Sequence, residues 1–96
     1  MVKLYAIRES EKKGKKFDAV FRDKEGGEKV VSFGQAGADD FTKTKDEEAK
    51  RLYLIRHRKN ESWDKPMTPG ALARWVLWNK PTLKESIADY KKRFDL

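Results

Sequence analysis

The chain contains no cysteine and a single histidine. Without cysteine there are no disulfides and no thiolate metal sites, which fits a reducing compartment. With His57 alone, neither a nucleophile–base triad nor a histidine-rich metal centre can be assembled. No apolar stretch approaches the roughly 20 residues of a membrane span. Met1-Val2-Lys3-Leu4-Tyr5 is not followed by the apolar run of a signal peptide. The expectation is an intracellular chain with no membrane partner. There is no GxGxxG, no P-loop lysine, no internal repeat and no low-complexity linker, so neither a cofactor nor a small-molecule substrate is expected. Asp39, Asp40 and Asp46 could hold a divalent cation that cuts phosphodiesters. Their spacing matches no ligand loop, and acids belong at a helix N-terminus, which accounts for Asp46 and Glu47. A protein that is not an enzyme is therefore expected, with a metal-dependent nuclease as the weakest alternative.

Charge is what the chain has in abundance. It carries 23 Lys and Arg against 16 Asp and Glu, a net +7, and 41% of its residues are charged. That balance favours polyanionic partners: nucleic acid, an anionic membrane surface or an acidic protein. Aromatics make up 11% and fall at regular spacings, which argues for a folded chain rather than a disordered one. Ninety-six residues form one small domain with a modest core. In the middle of the chain the signs separate: Asp39, Asp40, Asp46, Glu47 and Glu48 precede the basic block from Lys50 to Lys59. On a helix that order complements the macrodipole, so part of the block has an ordinary structural explanation.

Periodicity predicts an α+β domain over 1–96. Residues 1–34 read as a β-meander. Val2 to Arg8 alternates, with Leu4 and Ala6 on one side and Tyr5 and Ile7 on the other. Lys16 to Arg22 puts Phe17, Ala19 and Phe21 on one face, and Lys16, Asp18, Val20 and Arg22 on the other, a half-buried antiparallel strand. Lys24-Glu25-Gly26-Gly27 predicts a hairpin turn before a third strand over Glu28 to Phe33. Residues 35–45 read as a loop. Residues 46–96 read as three helices packed on the apolar face of the sheet. Thr44-Lys45-Asp46-Glu47 has capping-box spacing and opens a helix running to about Lys59. Thr68-Pro69 opens the second, which Pro81 ends. Thr82-Leu83-Lys84-Glu85 is another capping box, followed by the stripe Leu83, Ile87, Tyr90 and Phe94. The predicted core is Leu4, Phe17, Phe21, Val31, Leu52, Tyr53, Trp75, Val76, Ile87 and Phe94.

The run from Thr42 to Thr82 carries the candidate site. It holds His57, all three tryptophans (Trp63, Trp75 and Trp78) and the cations Lys50, Arg51, Arg56, Arg58 and Lys59. Cations neutralise phosphates, and aromatic rings stack on bases. Arg56, Arg58 and Lys59 sit near a helix end, Asn60 can hydrogen-bond a base edge or phosphate, and Trp63 follows. Arg74 and Lys80 bracket Trp75 and Trp78, which at i and i+3 share one side of a helix. The same residues would equally make a helical core with a solvated basic rim. Lys12, Lys13, Lys15 and Lys16 form a second basic group at a hairpin tip, either a soluble turn or an arm that grips phosphates.

The segment from Gly34 to Phe94 resembles a small uncharacterised family of basic proteins from giant and algal nucleocytoplasmic large DNA viruses. The pieces that carry the resemblance are Gly37-Ala38-Asp39-Asp40-Phe41-Thr42, Lys45-Asp46, Arg56-His57-Arg58-Lys59-Asn60-Glu61-Ser62-Trp63, Pro69-Gly70, and Leu77-Trp78-Asn79-Lys80-Pro81 continuing to Ile87. The resemblance implies a viral product made inside a host cell and carried in or on a virion. The leading expectation is a nucleic-acid-binding protein that contacts DNA mainly through phosphates, using Lys50, Arg51, Arg56, Arg58, Lys59, Asn60, Trp63, Arg74 and Lys80. The rival expectation is a virion structural or cement protein whose basic patches meet acidic capsid proteins.

Overall fold

Alternation in the first third produces three strands, β1 (Lys3–Glu9), β2 (Lys15–Arg22) and β3 (Glu28–Gln35). They pair antiparallel in the order β1-β2-β3. The computed structural model describes residues 2–96. The inner face of the sheet is written in its register, with Leu4 opposite Phe21, Ile7 and Val31 flanking Ala19, and Phe17 opposite Phe33. Leu4 and Ile7 share this face because the register shifts between Leu4 and Ala6, a β-bulge that turns Tyr5 outward. The expected pairing of Leu4 with Ala6 on one face is thereby corrected. Bulged out, the Tyr5 ring lies 3.5 Å beneath the Arg22 guanidinium, which also meets Glu28 at 3.0 Å. Val20 does face the outer side, yet it is buried, because it lies in the central strand between Ala6 and Val30.

The β2–β3 turn is held by Asp23, whose carboxylate accepts from the amides of Glu25 and Gly27 at 2.9 and 2.8 Å. Gly34 has φ +78, and a Cβ there would come within 2.9 Å of the Leu77 side chain, so the helical layer approaches the backbone itself at the end of β3.

Four helical segments follow. The expected 35–45 loop contains a short helix, α1 (Phe41–Thr44), capped by Asp40. The next, α2 (Glu47–His57), starts from Asp46, whose side chain accepts from the amides of Glu48 and Ala49. The capping box expected on Thr44 is therefore displaced by two residues. The Thr44 hydroxyl instead donates to the Asp40 carbonyl and accepts from the Asp46 amide. Thr68 caps α3 (Pro69–Leu72), with Pro in the first turn as expected. That helix continues as a π-helical turn over Ala73–Leu77, closed by the Trp78 amide donating to the Ala73 carbonyl at 3.1 Å. Thr82 caps α4 (Leu83–Phe94), and its hydroxyl donates to Glu85. Among the described residues no helix is long and apolar enough to cross a membrane.

The core joins the inner sheet face to α3, the π turn and α4 through Leu4, Ala19, Phe21, Val31, Phe33, Leu72, Val76, Leu77 and Tyr90. Tyr90 is fully buried, and its hydroxyl donates to the Pro66 carbonyl, tying α4 to the segment that leads into α3. Phe17, Trp75, Ile87 and Phe94 pack against this core without being fully buried. Leu52 belongs to the solvent face of α2 rather than to the core, with 43% of its surface exposed.

Burial separates two leucines that composition cannot. Leu72→Ala should cost about 2–5 kcal/mol, through lost transfer free energy and the cavity left behind. Leu52→Ala should stay within about 0.5 kcal/mol at low protein concentration. Urea unfolding of the two variants checks this ordering, and equal losses would contradict the packing.

Candidate nucleic-acid interface

Of the nine residues singled out for nucleic-acid contact, three have cations already bonded within the fold, five lie at or just after the end of α2, and Lys80 stands apart from both sets. Lys50 points off α2 toward the domain. Its ammonium donates to the Asn79 carbonyl at 2.7 Å and lies 4.8 Å over the Phe41 ring. Burial holds its pKa below the ordinary lysine value, with the nearby Arg74 and Lys80 charges acting in the same direction. Arg74 donates to the Trp78 carbonyl at 2.7 Å and stacks 4.1 Å from the Trp75 ring. Burial, and after it the Arg93 charge, lowers its pKa too. Its buried Nε has no hydrogen-bond partner, and the guanidinium also lies over Trp63 at 5.5 Å. Arg51 is exposed but forms a two-point bridge to Glu48 one helical turn back. These three cations are thus already hydrogen-bonded or ion-paired within the fold.

Arg56, Arg58, Lys59 and Asn60 are exposed at the end of α2, and none of the three cations has a carboxylate partner among the described residues. Trp63 stands beside them, half-buried, with its indole N–H donating to Glu61 at 2.8 Å. Lys80 is exposed but lies past the π turn, on the connection to α4. Of the four lysines at the β1–β2 tip, Lys12, Lys13 and Lys15 are exposed. Lys16 instead turns inward to the Asp40 carboxylate and the Ala38 carbonyl.

Three aromatic rings place the basic end of α2. Tyr53 stacks on His57 at 4.2 Å and, from its other side, on Trp78 at 4.5 Å with planes only 6° apart. Burial pushes the Tyr53 phenol pKa upward. His57 is fixed in turn by Glu61, which accepts at 3.1 Å from Nδ1. The two tryptophans expected on one side of a helix serve different neighbours. Trp75 meets Phe94 edge-on, and its indole donates to the Trp63 carbonyl at 3.0 Å. The extra residue in the π turn opens the angle between them.

The sequence reading missed a cleft of about 310 Å³ between the end of β3 and α2, lined by Lys16, Asp40, Tyr53, His57, Glu61 and Trp78 among others. The signal for it was Tyr53 and His57 at i and i+4 on one face of a helix, with Glu61 four residues further on. Within it Lys16 pairs with Asp40 and His57 bonds Glu61, while Asp39 also lines it without an ion pair among the described residues. Asp40 and Asp46 act as helix caps, and no group of three or more metal-ligating side chains occurs among the described residues.

A family of unknown function, DUF5754, has a model that matches residues 5–57. The chain belongs to that family. The matched span runs from β1 through the end of α2, so it includes Lys16, Asp40, Tyr53, Arg56 and His57 and stops short of Arg58, Lys59, Trp63 and Trp78. Comparisons with curated proteins and with solved structures find no match.

Two expectations follow from this geometry. In a double-mutant cycle, Tyr53→Ala and Trp78→Ala should couple by about 0.5–1.5 kcal/mol. Strict additivity in thermal unfolding would mean that something other than the stack holds α2. The second concerns Asp89, which accepts from Asn79 at 2.7 Å and from Arg93 at 3.3 Å. Burial works against its charge, yet these bonds outweigh burial and its pKa lies below the ordinary 3.8. A carboxyl lowered by folding stabilises above about pH 4, and that contribution is lost as the pH falls through the folded value. Asp89→Asn should therefore flatten the acid limb of Tm against pH. An equally steep limb in the variant would sink the assignment.

Proposed function

We propose that the protein is a non-enzymatic nucleic-acid-binding domain that contacts DNA mainly through phosphates. The contact is the end of α2. The observation that carries this reading is that Arg56, Arg58 and Lys59 are exposed at the end of α2 with no carboxylate partner among the described residues, with Asn60 next in the chain and the half-buried Trp63 near Arg58. Unpaired cations at one helix end need no ion pair broken before they meet phosphate, and an amide and an indole beside them suit sugar or base contact. Lys50, Arg51 and Arg74 are removed from the contact set, because their charges are already committed within the fold. Lys80 is a peripheral contact at most. A viral origin and a place in the virion belong to the same proposal and rest on the resemblance described above. A nuclease draws no support from Asp40 and Asp46, which cap helices.

The reduced contact set changes the expected salt response. Three neutralised phosphates should lower affinity for labelled duplex by roughly 40-fold between about 50 and 200 mM salt, read by fluorescence anisotropy. Arg56→Glu with Arg58→Glu should abolish most of the binding. Lys24→Glu with Lys29→Glu changes net charge equally, at the other end of the sheet, and should cost far less. Equal losses in the two double variants would make the binding a matter of total charge and overturn the proposed interface.

A further inference from the structure

Two opposite faces of α2 are apolar at their centres, and only one is used. Lys50, Tyr53, Leu54 and His57 form the face turned to the rest of the domain, through the ring stack and the Lys50–Asn79 bond. On the opposite side run Glu48, Leu52 and Ile55, with Lys59 following in the turn just past the end of the helix, spaced four, three and four residues apart. That is the 3.5-residue period of a two-helix seam. Leu52 and Ile55 are exposed by 43% and 55%. Of the other large exposed hydrophobics, Tyr5 holds the Arg22 guanidinium on one ring face and Val30 stands on the outer face of the sheet.

The order of residues along this stripe says what can cover it. It reads acid, apolar, apolar, base. A second α2 laid antiparallel, with the two-fold axis between Leu52 and Ile55, sets Leu52 against Ile55 of the second copy and Glu48 against its Lys59. All four positions are then matched twice over, as an isologous contact requires. A parallel pair would set Glu48 on Glu48 and Lys59 on Lys59. Antiparallel pairing also opposes the helix dipoles and brings the acidic start of each helix to the basic end of the other. The pairing brings Arg51 toward Arg58 of the second copy, and Arg51 keeps its bridge to Glu48.

We infer that the outer face of α2 is a self-association surface, through which two copies of the chain pair antiparallel along the Glu48–Leu52–Ile55–Lys59 stripe. The inference does not depend on nucleic-acid binding. Eleven helical residues span only about 16 Å, so the contact lies below the standard interface size and the dimer is a weak, micromolar one.

The test is sedimentation equilibrium of the full chain without nucleic acid, from about 10 to about 500 µM. Wild-type protein should pass from monomer to dimer across that range. Glu48→Lys alone and Lys59→Glu alone should each weaken the dimer about tenfold, since both symmetric pairs become repulsive. The combined Glu48→Lys, Lys59→Glu variant restores opposite charges across the axis and should return to near wild-type association. Circular dichroism of each variant confirms that α2 remains helical. A monomer at every concentration overturns the proposal. So does a dimer indifferent to the single substitutions, or a helical double variant that stays as weak as the singles.

Discussion

What α2 offers to solvent depends on the stack of His57, Tyr53 and Trp78. This helix lies beside the core rather than in it, and its single buried side chain is Tyr53. With so little apolar area to dock it, its orientation rests on a few directional contacts: two ring faces, the Lys50–Asn79 bond and the Glu61 brace on His57. Offset aromatic contacts constrain angle as well as distance, which burial alone does not. The stack exists because of the π turn. By closing on Ala73 rather than one residue later, the Trp78 amide lets Trp78 face Tyr53 while Trp75 remains with Phe94. A distortion in the third helix therefore decides which face of the second is free.

The same contacts explain why net charge overstated the interface. Lys50 and Arg74 are needed inside, one on a carbonyl and a ring, the other between aromatic rings. Lys16 is drawn to Asp40 to hold the loop leading into α1. Cations used in this way lie in a medium where their charge is costly unless hydrogen-bonded, and the depressed pKa values of Lys50 and Arg74 reflect that cost. The cations on and just after α2 that have no carboxylate partner among the described residues are Arg56 in its last turn and Arg58 and Lys59 beyond it, where Glu61 is taken up by His57 and Trp63.

The strands were legible because a period of two survives one irregularity. Phe17, Ala19 and Phe21 face the core as their alternation requires, and the two glycine turns lie where the sequence places them. The capping box at Thr82 was legible for the same kind of reason, since it is local chemistry. Three features were not legible, and each involves information absent from the local pattern. The bulge at Tyr5 inserts a residue that only the partner strand reveals. The Thr44 and Asp46 caps compete two residues apart, and the outcome depends on α1 claiming Thr44 for its own end. The π turn breaks the 3.6-residue period on which the reading of Trp75 and Trp78 relied. Leu52 fails for a related reason: a helix that is apolar on two sides does not say which side is inward.

The proposed phosphate contact and the proposed self-association draw on the same helix, and both call on Lys59 just beyond its end. Pairing along the outer stripe takes Lys59 to Glu48 of the second copy and leaves Arg56 and Arg58 on the flanks. The two-fold axis would then set two such arginine pairs about 10 Å apart along the helix axes, one from each chain. Under the proposed binding, a single copy would present a three-cation contact, weak and sensitive to salt. A pair would present four arginines, and the second contact would become intramolecular once the first is made. On the two proposals taken together, a weak dimer and a weak phosphate contact would support one another: nucleic acid would raise the local concentration of the chain, and pairing would raise the free cations per binding event from three to four. That coupling would let so small and thinly packed a domain act on a polyanion without a larger basic surface.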